Sequence, residues 1–253
     1  MICIIRIQAQ EKPELLWNDV LLNKNRLQET LGTKGKILYL SKRRNYHEVS
    51  LFVHVADANI LGCFIAQHLA KLEGVTGIWL INMLKPVFYP LPKGAAQMKR
   101  YTVTLKAYSP KLSEIYNALA KLPPACAVPL TADARRQAGG TADRPSDAES
   151  QRSPDYFGEV SIGYLAYTCH LFGDCIQVSL QAPDGTRIQK YGDEIISKIP
   201  GVLRTTLCEI EKTHPFVSYG EWQKYISTNA VLVDWDDRHM MAQFSTYGKQ
   251  DYE

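Results

Sequence analysis

No stretch of the 253 residues stays apolar long enough to cross a bilayer. The start, MICIIRIQAQ, has no basic region and only a short apolar run, so it is not read as a secretory signal. The sequence therefore predicts a cytoplasmic protein without a membrane partner. Charge of one sign is scarce as well. A formal net charge of +3 is too small to argue for a nucleic-acid or anionic-membrane surface. The one dense basic run, Lys42-Arg43-Arg44, is predicted to be a solvated turn. None of the six cysteines forms C-x-x-C, and four lie in apolar strand-like or helix-like patterns, which points to buried, reduced thiols. A phosphate-cradling glycine loop, a nucleophile elbow and a paired-carboxylate motif are all missing. No catalytic residue, metal or cofactor is predicted. What is present is ordinary globular material, 45% hydrophobic and 22% charged, with enough apolar residues for a core.

The pattern along the chain is β-α-β-β-α-β, written twice. Cys3 to Ile7 reads as a strand. Pro13 then sits just inside a helix start, with Leu15, Leu16, Val20, Leu21 and Leu27 at helical spacing and Gly32 as the stop. Ile37 to Leu40 is a second strand, and Val49, Leu51, Val53 and Val55 alternate as a third. Asp57 or Asn59 caps a helix with an apolar face from Ile60 to Leu72. Gly74 ends it, and Val75 to Met83 is the fourth strand. The second pass has a strand at Tyr101–Leu105, a helix at Leu112–Leu122 and strands at Val160–Tyr167 and Ile176–Leu180. Asp184-Gly185 opens a helix that Pro200-Gly201 ends, before a last strand at Val202–Ile210.

The two passes align at a constant offset of 127: KLEGVTGIWLINMLKPVFY (71–89) falls on KIPGVLRTTLCEIEKTHPF (198–216). Agreement in element order, helix stop and strand register points to duplication. The predicted fold class is α+β, with two ferredoxin-like βαββαβ units paired as an intramolecular dimeric α+β barrel. The first unit is placed at 1–95 and the second at 96–220. A mobile insertion at about 124–156 is expected, because Thr131–Asp155 holds nothing apolar larger than alanine apart from proline. Residues 221–253 form a tail carrying Trp222, Tyr225 and Trp235, expected to pack partly on the body.

In the second unit, LFGDCIQVSLQAPDGTRIQKYGDEIISKIPGVLRTTLCEIEK (171–212) combines a Gly173-Asp174 turn, a helix ending in Pro200-Gly201-Val202 and the Thr-containing strand Arg204-Thr205-Thr206. This stretch resembles the effector-binding module of the Lrp/AsnC transcription regulators. The resemblance implies binding of a small-molecule effector such as an amino acid, self-association into a homo-oligomer, and ligand contacts at Gly173 and Asp174. The family's helix-turn-helix domain is not expected, because the first strand is read as beginning almost at residue 1. The expected partner is thus a regulator that carries its own DNA-binding domain. The first unit replaces the Gly-Asp turn with Arg43-Arg44-Asn45-Tyr46.

Other candidates weigh less. Cys169, His170 and Cys175 match no zinc spacing. His47, His54 and His68 fall in one βα segment, with His54 read as a strand residue. The leading expectation is a non-catalytic effector-binding regulatory protein. The alternatives are a barrel enzyme, either a haem-dependent or a cofactor-independent oxidoreductase, and a structural assembly module.

Overall fold

The computed structural model describes residues 2–89, 98–122, 125–129, 156–170, 173–218 and 221. Of Cys169, His170, Gly173 and Asp174 only the backbone is described. The first half carries β1 (Ile2–Ala9), α1 (Pro13–Leu22), α2 (Lys24–Leu31), β2 (Gly35–Arg43), β3 (Glu48–Val55), α3 (Ala58–Gln67) and β4 (Val75–Phe88). The second carries β5 (Lys99–Ala107), α4 (Leu112–Ala120), β6 (Ala125–Pro129), β7 (Tyr156–His170), β8 (Gly173–Ala182), α5 (Gly185–Tyr191) and β9 (Val202–Pro215).

Each strand forms for a local reason. In β3, Val49, Leu51, Val53 and Val55 are fully buried on the helix side, beside Ile5 and Ile7 of β1 and Leu61 and Phe64 of α3. Asp57 caps α3 by accepting hydrogen bonds from the Asn59 and Ile60 amides, and Asp184 caps α5 by accepting from the Arg187 amide. Gly74 and Gly201 take the left-handed conformation, at φ +72° and +96°, in the turns that lead into β4 and β9. The single long helix expected over residues 13–31 is two, broken at Asn23, whose side-chain amide donates to the Asp19 carbonyl.

The strands make one antiparallel sheet in the order β4-β1-β3-β2-β9-β5-β8-β7-β6, and β4 also pairs with β7. That extra pairing closes eight strands into a barrel. β6 stays outside the ring, because it and β4 share one edge of β7 end to end: β6 takes Tyr156 to Ser161 and β4 takes Tyr164 to Cys169. Two seams join the halves, β2 with β9 and β4 with β7. Helices cover the outside of each half, over two separate cores.

Three expectations change. Ala125–Pro129, assigned to the insertion, is β6. The rest of the insertion, residues 130–155, and the tail beyond Glu221 lie outside the described residues. Gly173 and Asp174 are not a turn but the first residues of β8, paired with His170 and Cys169. The basic run is not a solvated turn either. Lys42 is 5% exposed on β2, and its ammonium bonds to Glu14 of α1 and, at 3.0 Å, to Glu211 of β9. Arg43 bonds to Glu48 through its Nε at 2.7 Å. Only Arg44, paired with Glu209, is half exposed. The run is basic because carboxylates from three neighbouring elements meet it: Glu14 of α1, Glu48 of β3, and Glu209 and Glu211 of β9.

Burial acts to lower the Lys42 pKa, but its hydrogen bonds to Glu14 and Glu211 outweigh burial and raise it, while Lys42 holds Glu14 below its usual value. A raised lysine contributes stability that is complete below its unfolded pKa near 10.5 and is lost as pH climbs through the folded value. The depressed Glu14 contributes stability that is lost as pH falls below about 4. We expect Lys42→Ala to cost about 1–3 kcal/mol in urea unfolding at neutral pH. The penalty should shrink in strong alkali, and an unchanged midpoint would show that the seam does not depend on this lysine.

Candidate functional site

Because side chains alternate across a strand, the residues that do not face the helices face the inside of the barrel. In β8 the helix side is Ile176, Val178 and Leu180, so Cys175, Gln177, Ser179 and Gln181 point inward. The first half supplies most of an apolar inner wall: Ile2, Ile4, Leu38, Phe52, Ile81, Met83 and Phe88 form a third core with Tyr164 and Ala166 of β7. The second half supplies a polar one, with Thr102, Thr168, Gln177 and Gln181 all buried.

The two walls do not fill the space between them. A cavity of about 340 Å³ lies inside one end of the barrel. Its apolar side is Leu38, Phe52, Phe88 and Ile210, and its polar side is Ser41, Arg100, Thr102, Ser179 and Gln181. The exposed lining residues Thr213, Pro215 and Ser218 mark its open side. The chain leaving β9 turns across this end: the Phe216 amide donates to the Leu38 carbonyl at 3.0 Å, and Val217 is buried against the cavity. A larger cleft of about 560 Å³ lies outside the barrel, beside Thr33, Lys34, Lys36 and His54. Half of its lining residues are exposed and none is buried, which makes it a solvent groove.

Aromatic rings span the interior. Tyr39 stacks on Phe52 with centroids 4.1 Å apart, and Tyr164 meets Phe52 at 5.7 Å and Phe88 at 6.1 Å. Burial pushes the pKa of both Tyr39 and Tyr164 well above the ordinary phenol value. For Tyr164, a hydrogen bond with Thr102 and the charges of Arg6 and Arg43 oppose burial without overcoming it. Both rings therefore stay neutral at any physiological pH. Deeper in the barrel, Arg6 and Arg43 share the carboxylate of Glu48, at 3.7 Å from the Arg6 Nε and 2.7 Å from the Arg43 Nε.

The polar wall is under-satisfied. Ser161 Oγ, Gln177 Oε1 and Gln181 Oε1 are buried and have no hydrogen-bond partner among the described residues. Such atoms in a native interior call for a water or a ligand. Gly163 belongs to this wall, at the point where the β7–β8 register shifts. A Cβ there would stand 2.9 Å from Gln181 Nε2 and 3.1 Å from Ser179 Oγ. Glycine is what lets those side chains lie against the strand and leaves the cavity open.

The residues singled out from sequence lie elsewhere. Asp174 is five positions before Ser179 on β8, roughly 17 Å away at the strand rise. Cys175 is buried at the same far end, its sulfur 3.0 Å from Thr168 Oγ1. His47 is exposed, with Nδ1 at 2.8 Å from the Glu11 carbonyl. His68 packs on Phe64, and His54, its pKa lowered by burial, is a half-buried strand residue beside the outer cleft. No group of three metal-binding side chains occurs among the described residues. The cavity lining does not suit haem. Among the described residues it holds no His, Cys or Met, and burial raises the pKa of all three of its tyrosines, which opposes ligation as phenolate.

No family model matches the chain, and no curated protein matches it. Solved structures do. A proposed monooxygenase from Lactobacillus acidophilus is 6% identical with a TM-score of 0.45, over 85% of this chain and 95% of that one. A proposed monooxygenase from Fusobacterium nucleatum is 8% identical with a TM-score of 0.46, over 85% and 94%. A chlorite dismutase from Candidatus Nitrospira defluvii is 11% identical with a TM-score of 0.41, over 83% and 92%. At such distances function has to be argued from the cavity itself.

Two outcomes follow. Tyr39 and Tyr164 should be missing from a spectroscopic phenol titration until the protein unfolds in alkali; their ionisation in the folded state at pH 10 would mean that the interior is wet. Gly163→Val should close the cavity while keeping the fold. The check is loss of ligand-induced stabilisation with a circular dichroism spectrum like that of the parent.

Proposed function

We propose that this chain is a small-molecule-binding α+β barrel, whose interior cavity takes a compact ligand with an apolar, flat body and a polar end. The observation that carries this reading is the mismatch of the two inner walls. Phe52, Phe88, Leu38 and Ile210 offer a ring-sized apolar surface, and the opposite wall offers Gln181, Ser179 and Thr102 with a buried oxygen still unpaired. A volume of about 340 Å³ is at the small end of ligand sites, so the ligand is compact.

The charge pattern bears on the amino-acid expectation. The described lining contains one cation, Arg100, and no carboxylate. A zwitterion's ammonium would be desolvated there with no counter-charge, at a cost of several kcal/mol. A neutral or anionic molecule suits the cavity better, whether its use is to report a metabolite to a partner protein or to be transformed. The reading of the halves as two ferredoxin-like units from one duplicated βαββαβ sequence is supported by the strand orders β4-β1-β3-β2 and β9-β5-β8-β7. The strands β4 and β9 are also both 14 residues long and start at Val75 and Val202, the offset of the sequence alignment.

One observation favours an enzymatic use. Tyr39, Tyr164 and Arg100 all line the cavity, and each carries a hydrogen-bond donor of the kind that stabilises a substrate oxyanion. A cofactor-independent oxidoreductase acting on a phenolic or enolic substrate would use it so.

A thermal-shift screen tests the binding reading. Small aromatic compounds at millimolar concentration should raise the melting temperature by a few degrees, and the twenty amino acids should not. Stabilisation by amino acids alone would restore the effector expectation and refute this one. Oxygen uptake with hydroquinones separates the two uses: turnover that Tyr164→Phe lowers by about tenfold or more supports the enzyme, and binding without uptake supports the sensor.

A further inference from the structure

Arg100 is half buried at the start of β5 and lines the cavity, yet no carboxylate lies within ion-pair distance of it among the described residues. Its one hydrogen bond there is weak, from Nη1 to Thr213 Oγ1 at 3.4 Å. The other buried or half-buried cations of the interior and its seam are treated differently. Lys42 meets Glu14 and Glu211, and Arg6 and Arg43 meet Glu48. A guanidinium that lines the mouth of a cavity, with no carboxylate of the described residues beside it, is available to an anionic ligand.

The surroundings show where that anion would sit. Arg100 pairs directly with Gln181 of β8 on one side and Ile210 of β9 on the other. Gln181 is 3% exposed, it lines the same cavity, and its Oε1 has no partner among the described residues. Thr213 is exposed on the open side and adds a hydroxyl. Phe52, Phe88 and Ile210 line the same cavity. Elsewhere in the interior two arginines, Arg6 and Arg43, share one carboxylate, that of Glu48.

We propose that the cavity selects a monoanionic aromatic acid, its carboxylate held at the open end by Arg100 and Thr213 and its ring seated between Phe52, Phe88 and Ile210. This rests on the reading of the cavity as a ligand site and narrows it to one chemical class. Guanidinium is suited to the task because its planar fork meets a carboxylate with two parallel hydrogen bonds. A neutral amide is the natural competitor, since its NH₂ group would satisfy Gln181 while leaving Arg100 unpaired.

The test is calorimetric titration of the full chain with 2-naphthoate, and with 2-naphthamide as its neutral counterpart. The expected result is naphthoate binding about tenfold or more tighter than naphthamide, the size of one charge-assisted hydrogen-bond pair. In Arg100→Gln the preference should vanish with naphthamide affinity unchanged, and Arg100→Lys should recover part of it. If Arg100→Gln does not fold, Thr213→Val, at an exposed position, should still cost naphthoate a few-fold and naphthamide nothing. Equal affinity of the two probes for the parent protein, or tighter binding of the amide, overturns the anion assignment and leaves the cavity reading standing. Binding of neither overturns both.

Discussion

The structure depends on two seams of backbone hydrogen bonds, β2 with β9 and β4 with β7. A sheet of four antiparallel strands has two open edges and one uncovered face, each a liability in water. The helices of each half cover one face only. Joining the halves at both edges removes the edges of the ring and turns the remaining faces inward, where they become the lining of one space. That space is therefore a consequence of closure. Its two walls come from different parts of the sequence, and they differ in chemistry because nothing in the seams requires them to match.

The walls divide the work. The first half contributes aliphatic and aromatic surface, which stabilises by burial whether or not a ligand is present. The second contributes hydroxyls and amides that are satisfied only in part. A fully packed barrel of this strand number would fill its interior with side chains. Here Gly163 removes one side chain where the polar wall would otherwise crowd, and Arg100 lines the opening with no carboxylate of the described residues paired to it. The helix-side cores stabilise each half by burial, and the interior is left incompletely packed.

Much of the fold was legible in the sequence, because periodicity reports burial directly. Val49, Leu51, Val53 and Val55 announce a strand, and Asp184-Gly185 announces a helix start. The site was not legible, for a physical reason. In Ile176-Gln177-Val178-Ser179-Leu180-Gln181 the polar alternates look like a face turned to solvent. Alternation states only that the two faces differ, and a barrel interior that holds a polar ligand reads the same as water. The basic run misled for a related reason: Lys42 and Arg43 find their carboxylates on β9, α1 and β3, which sequence spacing does not reveal. Gly173 and Asp174 were drawn from a resemblance in a neighbouring stretch of the right strand, at its opposite end.

The most direct measurement is a crystal structure of the protein soaked with 2-naphthoate. The account predicts the ring inside the barrel between Phe52, Phe88 and Ile210, with the carboxylate within hydrogen-bond distance of Arg100. A barrel interior packed solid by its own side chains, with the compound bound elsewhere or not at all, would contradict it.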